Sequence, residues 1–307
     1  MSYTSQISIQ GHSLVAETYN PGAPGFPVLL LHGVMSSLPF WTTDLIEPFL
    51  PYGPCTALSL PGHYPATCPP GFGPEDLTAE RIAALLHAAL QNILKEQGFA
   101  ESQQVLVVGH STGGFAALAL AIFFPQSIRG VASIAGFAQG RWGSWLRIYQ
   151  WLARRPKIGS VAMRSLLRAG SFRPLFRASA AFHTPLPRAK LSVQEQDRLM
   201  EENYQAFRNY DADAMQAYFT AMHAVDILPQ LSSIRAPVLA ICGDADLAVP
   251  PVQSRRIANS IPGAELVIIR GGVGHMPFYQ KSSVYRKAMD GWLHRHFSGR
   301  ETPAPDS

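Results

Sequence analysis

Along this chain apolar and polar positions first alternate, then run together, then recur every three or four residues, and each pattern predicts a different element. Gln6–Ile9 and Ser13–Tyr19 alternate around Gly11-His12, which predicts an N-terminal hairpin. Short apolar runs at Val28–Leu31, Cys55–Leu60, Val105–Val108, Gly130–Ala138, Pro237–Cys242 and Glu265–Ile269 predict strands, most of them buried on both faces. Between Thr78 and Glu96, Ile82, Leu85, Leu86, Ala89, Leu90 and Ile93 fall at helical spacing. Phe115 to Phe124, ended by Pro125, predicts a packed helix. Met215, Tyr218, Phe219 and Met222 form the core-facing stripe of another, and a last helix is expected over Ser283–Phe297. Ser298–Ser307 is expected to be a disordered tail. Strands alternating with helices imply an α/β fold with a mostly parallel central sheet flanked by helices.

The alternation breaks between Gly140 and about Asp213. Here the chain turns helical and basic, so residues 140–213 are expected to be an insertion into a core made of 1–139 and 214–307. Ser192-Val193-Gln194-Glu195 is a capping box that starts one of its helices. The 307 residues, 47% hydrophobic and 15% charged, suit one large domain with a sizeable core and exclude global disorder. The longest apolar stretch is about ten residues, against roughly twenty needed to cross a bilayer. The N-terminus has neither a basic region nor an apolar core, so no secretory signal is expected. Cys55, Cys68 and Cys242 cannot all pair and lack metal-site spacing. Together these features predict a cytoplasmic protein with no metal and no cofactor.

The net charge of +4 is unevenly spread: Arg141 to Lys190 holds eleven Lys or Arg and no Asp or Glu. No nucleic-acid module accompanies that charge, so nucleic acid is not expected as a partner.

The strand at Val105–Val108 runs into Gly109-His110-Ser111-Thr112-Gly113, and the apolar helix follows. G-x-S-x-G between strand and helix is a nucleophile elbow, a turn sharp enough to need glycine on both sides and to thrust the serine hydroxyl outward. Asp246 and His275 also lie just beyond predicted strands, where parallel sheets gather their reactive groups. A serine hydroxyl needs a base to take its proton, and the base needs an acid to fix its tautomer. The order Ser111, Asp246, His275 supplies all three.

These motifs resemble the α/β-hydrolase superfamily over nearly the whole chain, most weakly in the insertion. The resemblance implies that Ser111 in GHSTG is the nucleophile and that Asp246, within Gly243-x-x-Asp-x-x-x-Pro250, is the acid. It implies that His275 in its Gly-rich loop is the base. Asp244 competes for the acid position, but the distance from Asp246 to Pro250 fits the family better. His32-Gly33 matches the family's H-G, so the backbone amides of Val34 and Thr112 would form the oxyanion hole. His110, beside the nucleophile, and His63, in a Pro-Gly-His turn, are expected to be structural, and Cys242 a small core residue. Two positions depart from the family pattern: Ser59 stands where Asp is common and Tyr64 where Gly is common, and Tyr64 is expected at the pocket rim. A serine nucleophile argues against the dehalogenase and epoxide-hydrolase branches.

The implied function is hydrolysis of a carboxylic ester, with a hydrophobic or lipid-like acyl group, through an acyl-enzyme intermediate. Thioesterase, acyltransferase, C–C hydrolase and peptidase chemistry use the same triad. A non-catalytic ligand-binding protein on this fold is the rival from another class. In this family the inserted segment is commonly a helical lid. Here it carries Trp142, Trp145 and Trp151 among Leu and Ile. Ile158, Val161, Ala162, Ser165, Leu166 and Ala169 are expected to line its apolar face, with Lys157, Arg164 and Arg168 on another. Two readings stay open: a pocket cover whose charges are solvated, or a surface that meets an anionic membrane.

Overall fold

Alternate residues of the apolar runs face opposite ways, and this builds two cores from one sheet. The computed structural model describes residues 2–176 and 193–298, apart from the side chains of 145, 156 and 193–200. Its strands are β1 (Ser2–Ile9), β2 (His12–Tyr19), β3 (Val28–Leu31), β4 (Cys55–Leu58), β5 (Val105–His110), β6 (Ile128–Ile134), β7 (Val238–Gly243) and β8 (Glu265–Ile269). They form one eight-stranded sheet in the order β1-β2-β4-β3-β5-β6-β7-β8. β2 is antiparallel to β1 and β4, and every pairing from β4 to β8 is parallel.

Leu29, Leu31, Val105 and Val107 point into one core, which is covered by α1 (Ala79–Glu96) and α2 (Thr112–Phe123). Val28, Leu30, Leu106 and Val108 point into the other, covered by Trp292, Leu293 and Phe297 of the C-terminal helix Ser282–Phe297. A sheet covered on both sides must be apolar on both, which is why these strands read as unbroken runs.

The sequence places strand ends less well than strand centres. The fourth strand stops at Leu58 rather than Leu60. There Ser59 leaves the ladder and holds β2 with both of its polar groups: its N–H donates to the Val15 carbonyl (2.9 Å), and its hydroxyl accepts from the Val15 N–H (2.8 Å). The sixth strand spans Ile128–Ile134, and the residues to Ala138 form a buried connection instead.

Between β6 and β7 lie α3 (Ser144–Ala153), α4 (Pro156–Gly170), α5 (Val193–Arg208) and α6 (Ala212–Ala224). α6 crosses the boundary expected at 213/214 and buries Met215, Tyr218, Phe219 and Met222, its core-facing stripe. The capping-box side chains, and all of the C-terminal tail but Ser298, lie outside the described residues.

The face expected to be apolar on α4 is not its buried one: Gly159, Met163 and Leu167 turn inward, Ala162 and Leu166 are half-buried at the margin, and Ile158, Val161, Ser165 and Ala169 are exposed beside the cations. The reason is close packing. A Cβ built on Gly159 would lie 2.7 Å from the Ala153 carbonyl oxygen, so the glycine stripe lets α4 approach the end of α3. The branched side chains are left outside.

Candidate active site

The site grows from the turn after β5. Ser111 has φ 55° and ψ −115°, a left-handed conformation that a side chain rarely adopts. Neighbouring residues hold it there. The Ser111 N–H donates to the Ile134 carbonyl (2.8 Å), and its carbonyl accepts from Phe115 (3.1 Å) in the first turn of α2. Only glycine fits on either side. A Cβ on Gly109 would meet the Gly113 carbonyl oxygen at 2.1 Å, and one on Gly113 would meet the Leu31 carbonyl oxygen at 2.1 Å. Strained φ/ψ kept by such packing puts the hydroxyl at the carboxyl edge of the sheet, at the N-terminus of α2. There the first helical N–H groups, Thr112 among them, have no intrahelical acceptor.

His275 follows β8 in a loop fastened at several points. Its Nδ1 lies 2.7 Å from Asp246 Oδ2. The other Asp246 oxygen accepts from the N–H groups of Ala248 and Val249, both at 2.9 Å. A carboxylate oxygen accepts, so the tautomer of the neutral His275 ring that suits this contact carries its proton on Nδ1 and its lone pair on Nε2. Asp244 does not reach His275. Its carboxylate accepts from the N–H groups of Gly271 (2.9 Å) and Val273 (2.8 Å), which depress its pKa and pin the loop that carries the histidine. Gln280 takes the Gly274 N–H (2.7 Å), and His110 Nε2–H donates to the His275 carbonyl (3.1 Å). His110 also stacks on Phe40. Among the described residues the Ser111 hydroxyl makes no hydrogen bond, whereas the Asp246–His275 contact is formed.

The Val34 loop is held against Ser111 by two neutral imidazoles. A Cβ on Gly33 would come within 3.2 Å of Ser111 Cβ, so the H-G backbone passes directly beside the serine. His32 Nε2 accepts from the Leu60 N–H (3.1 Å), and its Nδ1–H donates to the Gly33 carbonyl (2.8 Å). His63 Nε2 accepts from the Met35 N–H (3.2 Å), and its Nδ1–H donates to the Pro61 carbonyl (3.1 Å). Burial holds His32 down to about 4 and His63 well below its ordinary value, so both rings stay neutral and able to accept. The role of His32 was hidden in the sequence. The only signal was that the H-G histidine immediately precedes the Val34 loop.

The insertion is tied to this edge: its Gly143 N–H donates to the Ala248 carbonyl (2.9 Å), two residues from Asp246. Beyond the insertion, the Tyr218 ring of α6 lies 4.7 Å from His63. Gln150 ties the start of the insertion by accepting from the Trp142 N–H and donating to the Gly140 carbonyl. Tyr64 is exposed beside His63. The described residues contain no cluster able to hold a metal ion and no helix long and apolar enough to cross a membrane.

Comparison with known proteins agrees with this architecture. The alpha/beta hydrolase family profile matches residues 28–286. RutD of Pseudomonas syringae, a carbamate hydrolase by name, is 26% identical over 228 residues, covering 73% of this chain and 78% of its own. The enol-lactonase of Burkholderia xenovorans superposes with a TM-score of 0.70 at 20% identity, covering 94% of this chain and 99% of that one. A thermophilic esterase from Thermogutta terrifontis superposes with a TM-score of 0.68 at 22% identity, covering 96% and 99%. At these identities the two structures share the fold.

Proposed function

We propose that this chain, which belongs to the alpha/beta hydrolase family, is a serine hydrolase that cleaves a carboxylic ester through an acyl-enzyme. The observation that carries the reading is the 2.7 Å contact between His275 Nδ1 and Asp246 Oδ2 at the same sheet edge as the strained Ser111 turn. His275 Nε2 takes the Ser111 proton as the hydroxyl oxygen attacks the ester carbonyl. The amides of Val34 and Thr112 receive the negative charge that develops on the carbonyl oxygen. The proton passes from Nε2 to the leaving alcohol, and water then repeats the sequence in reverse to release the acid. Buried Asp246 holds the imidazole in the required tautomer throughout.

Residues 140–213 act as the lid in this reading, and the apolar and aromatic residues of that segment, Trp142 and Trp151 among them, favour a hydrophobic acyl group. The names of the relatives point the same way, because lactones, esters and carbamates all present a carbonyl to a nucleophile.

The deciding experiment screens p-nitrophenyl esters of graded chain length beside acyl-CoA thioesters and an aryl carbamate, with a fluorophosphonate probe as the active-site label. Esters of medium or long chain are expected to be the best substrates, and the probe to label wild type but not Ser111→Ala. Labelling that survives the substitution removes Ser111 from its role. No turnover of any carbonyl substrate returns the ligand-binding alternative.

The two neighbouring acids separate cleanly. Asp246→Asn is expected to lower kcat about 10³–10⁴-fold, because the wrong imidazole tautomer then faces the serine. Asp244→Asn keeps one acceptor oxygen for the loop and is expected to cost less than about tenfold by the same tautomer argument, since it never touches the ring. The opposite ranking in a steady-state assay would exchange their roles.

A further inference from the structure

The outward faces of α3 and α4 combine exposed apolar side chains with cations that enter no ion pair among the described residues. Ile148 and Trp151 on α3 are 60% and 49% exposed, and Ile158 and Val161 on α4 are 55% and 66% exposed. Their spacing puts each pair on one side of its helix, where Arg147, Lys157 and Arg168 are exposed as well. At the foot of α3, Leu247 is also exposed, with its carbonyl oxygen against Gly143. Arg155 lies over the Trp151 ring at 3.5 Å, so this ring already carries a cation at the surface. Arg164 is bonded to Asp213 and Arg173 to Glu201. By contrast, Arg147, Arg154, Arg155, Lys157 and Arg168 enter no ion pair among the described residues. Neither helix contains an acidic residue.

Exposing several branched and aromatic side chains to water is unfavourable, and uncompensated positive charge beside them adds self-repulsion. One kind of partner relieves both. It must accept apolar side chains to a depth of a few ångströms and present negative charge at its surface. We propose that α3 and α4 dock the protein on an anionic lipid surface, with Ile148, Trp151, Ile158 and Val161 entering the acyl boundary and the five cations meeting the headgroups. An acidic protein would match the charge but not the protruding apolar side chains. The consequence, which rests on the proposed lid, is that the segment resting on the membrane is tied through Gly143 to the Ala248 carbonyl, two residues from Asp246.

The test is co-sedimentation of the full-length protein with vesicles of phosphatidylglycerol and phosphatidylcholine mixed equally, against vesicles of phosphatidylcholine alone. Binding is expected to the anionic vesicles, weakening as salt rises because exposed charges are screened over about 8–10 Å. Each cation near such a surface is worth about fivefold in partitioning, so Arg147→Glu/Lys157→Glu/Arg168→Glu is expected to weaken binding at least about a hundredfold. Ile148→Ser/Ile158→Ser/Val161→Ser is expected to weaken it at least about tenfold at every salt concentration. A blue shift of tryptophan emission on vesicle addition should disappear in Trp151→Phe. All variants alter exposed positions and should keep the fluorophosphonate labelling of wild type, which reports the fold independently. Equal binding to both vesicle types, or to neither, overturns the proposal. So does binding that the charge reversal abolishes and the serine substitutions leave unchanged, which would mark adsorption by charge alone with no apolar insertion. None of these readouts needs turnover, so failure here and failure of the hydrolase reading are distinguishable.

Discussion

His275→Ala and Ser111→Ala each lower kcat/KM toward a p-nitrophenyl ester by at least about a thousandfold, and the double variant is no worse than either alone. The non-additivity is the informative part. Without Nε2 of His275 the Ser111 proton has nowhere to go, and without the hydroxyl the imidazole has nothing to activate. Each substitution therefore disables the same step. The strained turn persists in Ser111→Ala, because Gly109, Gly113 and the Ile134 carbonyl hold the backbone rather than the side chain. A normal thermal transition alongside lost activity is the expected pair of results. Losses in the two single variants that multiply in the double variant would mean that the residues act at separate steps and would sink the relay.

Acid weakens the fold well above the pH at which carboxylates titrate. His32 is held at about 4, against about 6.5 in the unfolded chain. The folded ring is therefore the poorer base. As pH falls below 6.5 the unfolded state takes up a proton that the folded state refuses, so stability declines until about pH 4 and then levels off. His32 alone accounts for about 2 kcal/mol lost between pH 7 and pH 5, and about 3 kcal/mol by pH 4. Burial depresses His63 and His110 in the same direction, so they steepen the decline. Against a typical stability of about 5–15 kcal/mol this is a large fraction. Urea titrations at pH 7, 6 and 5 read it directly. A flat free energy of unfolding over that interval would show that these rings are not kept neutral. Function feels the same protonation, since a charged His32 or His63 can no longer accept from the Leu60 or Met35 amides that fix the Val34 loop.

The sequence by itself determined the sheet. Val28–Leu31 and Val105–Val108 are apolar throughout because they are covered on both faces, and burial of that kind leaves an unbroken run wherever it occurs. The G-x-S-x-G glycines were equally legible, since steric exclusion at 2.1 Å allows no other residue. The chain order of Ser111, Asp246 and His275 could be read as well, each just past a strand.

What only the tertiary structure decided is which polar group meets which across the chain. Asp244 and Asp246 are two residues apart, and nothing local says that one reaches the ring of His275 while the other pins its loop. The neutral state of His32 and His63 depends on how completely other segments bury them. The same holds for α4, where periodicity defined a helix and one apolar face but could not say which side faced inward. The choice fell to Gly159, which looks like a weakness in an isolated helix and becomes the point of closest approach once α3 lies against it. Helical spacing is a property of one segment, whereas the direction of burial belongs to the surface that the segment packs upon.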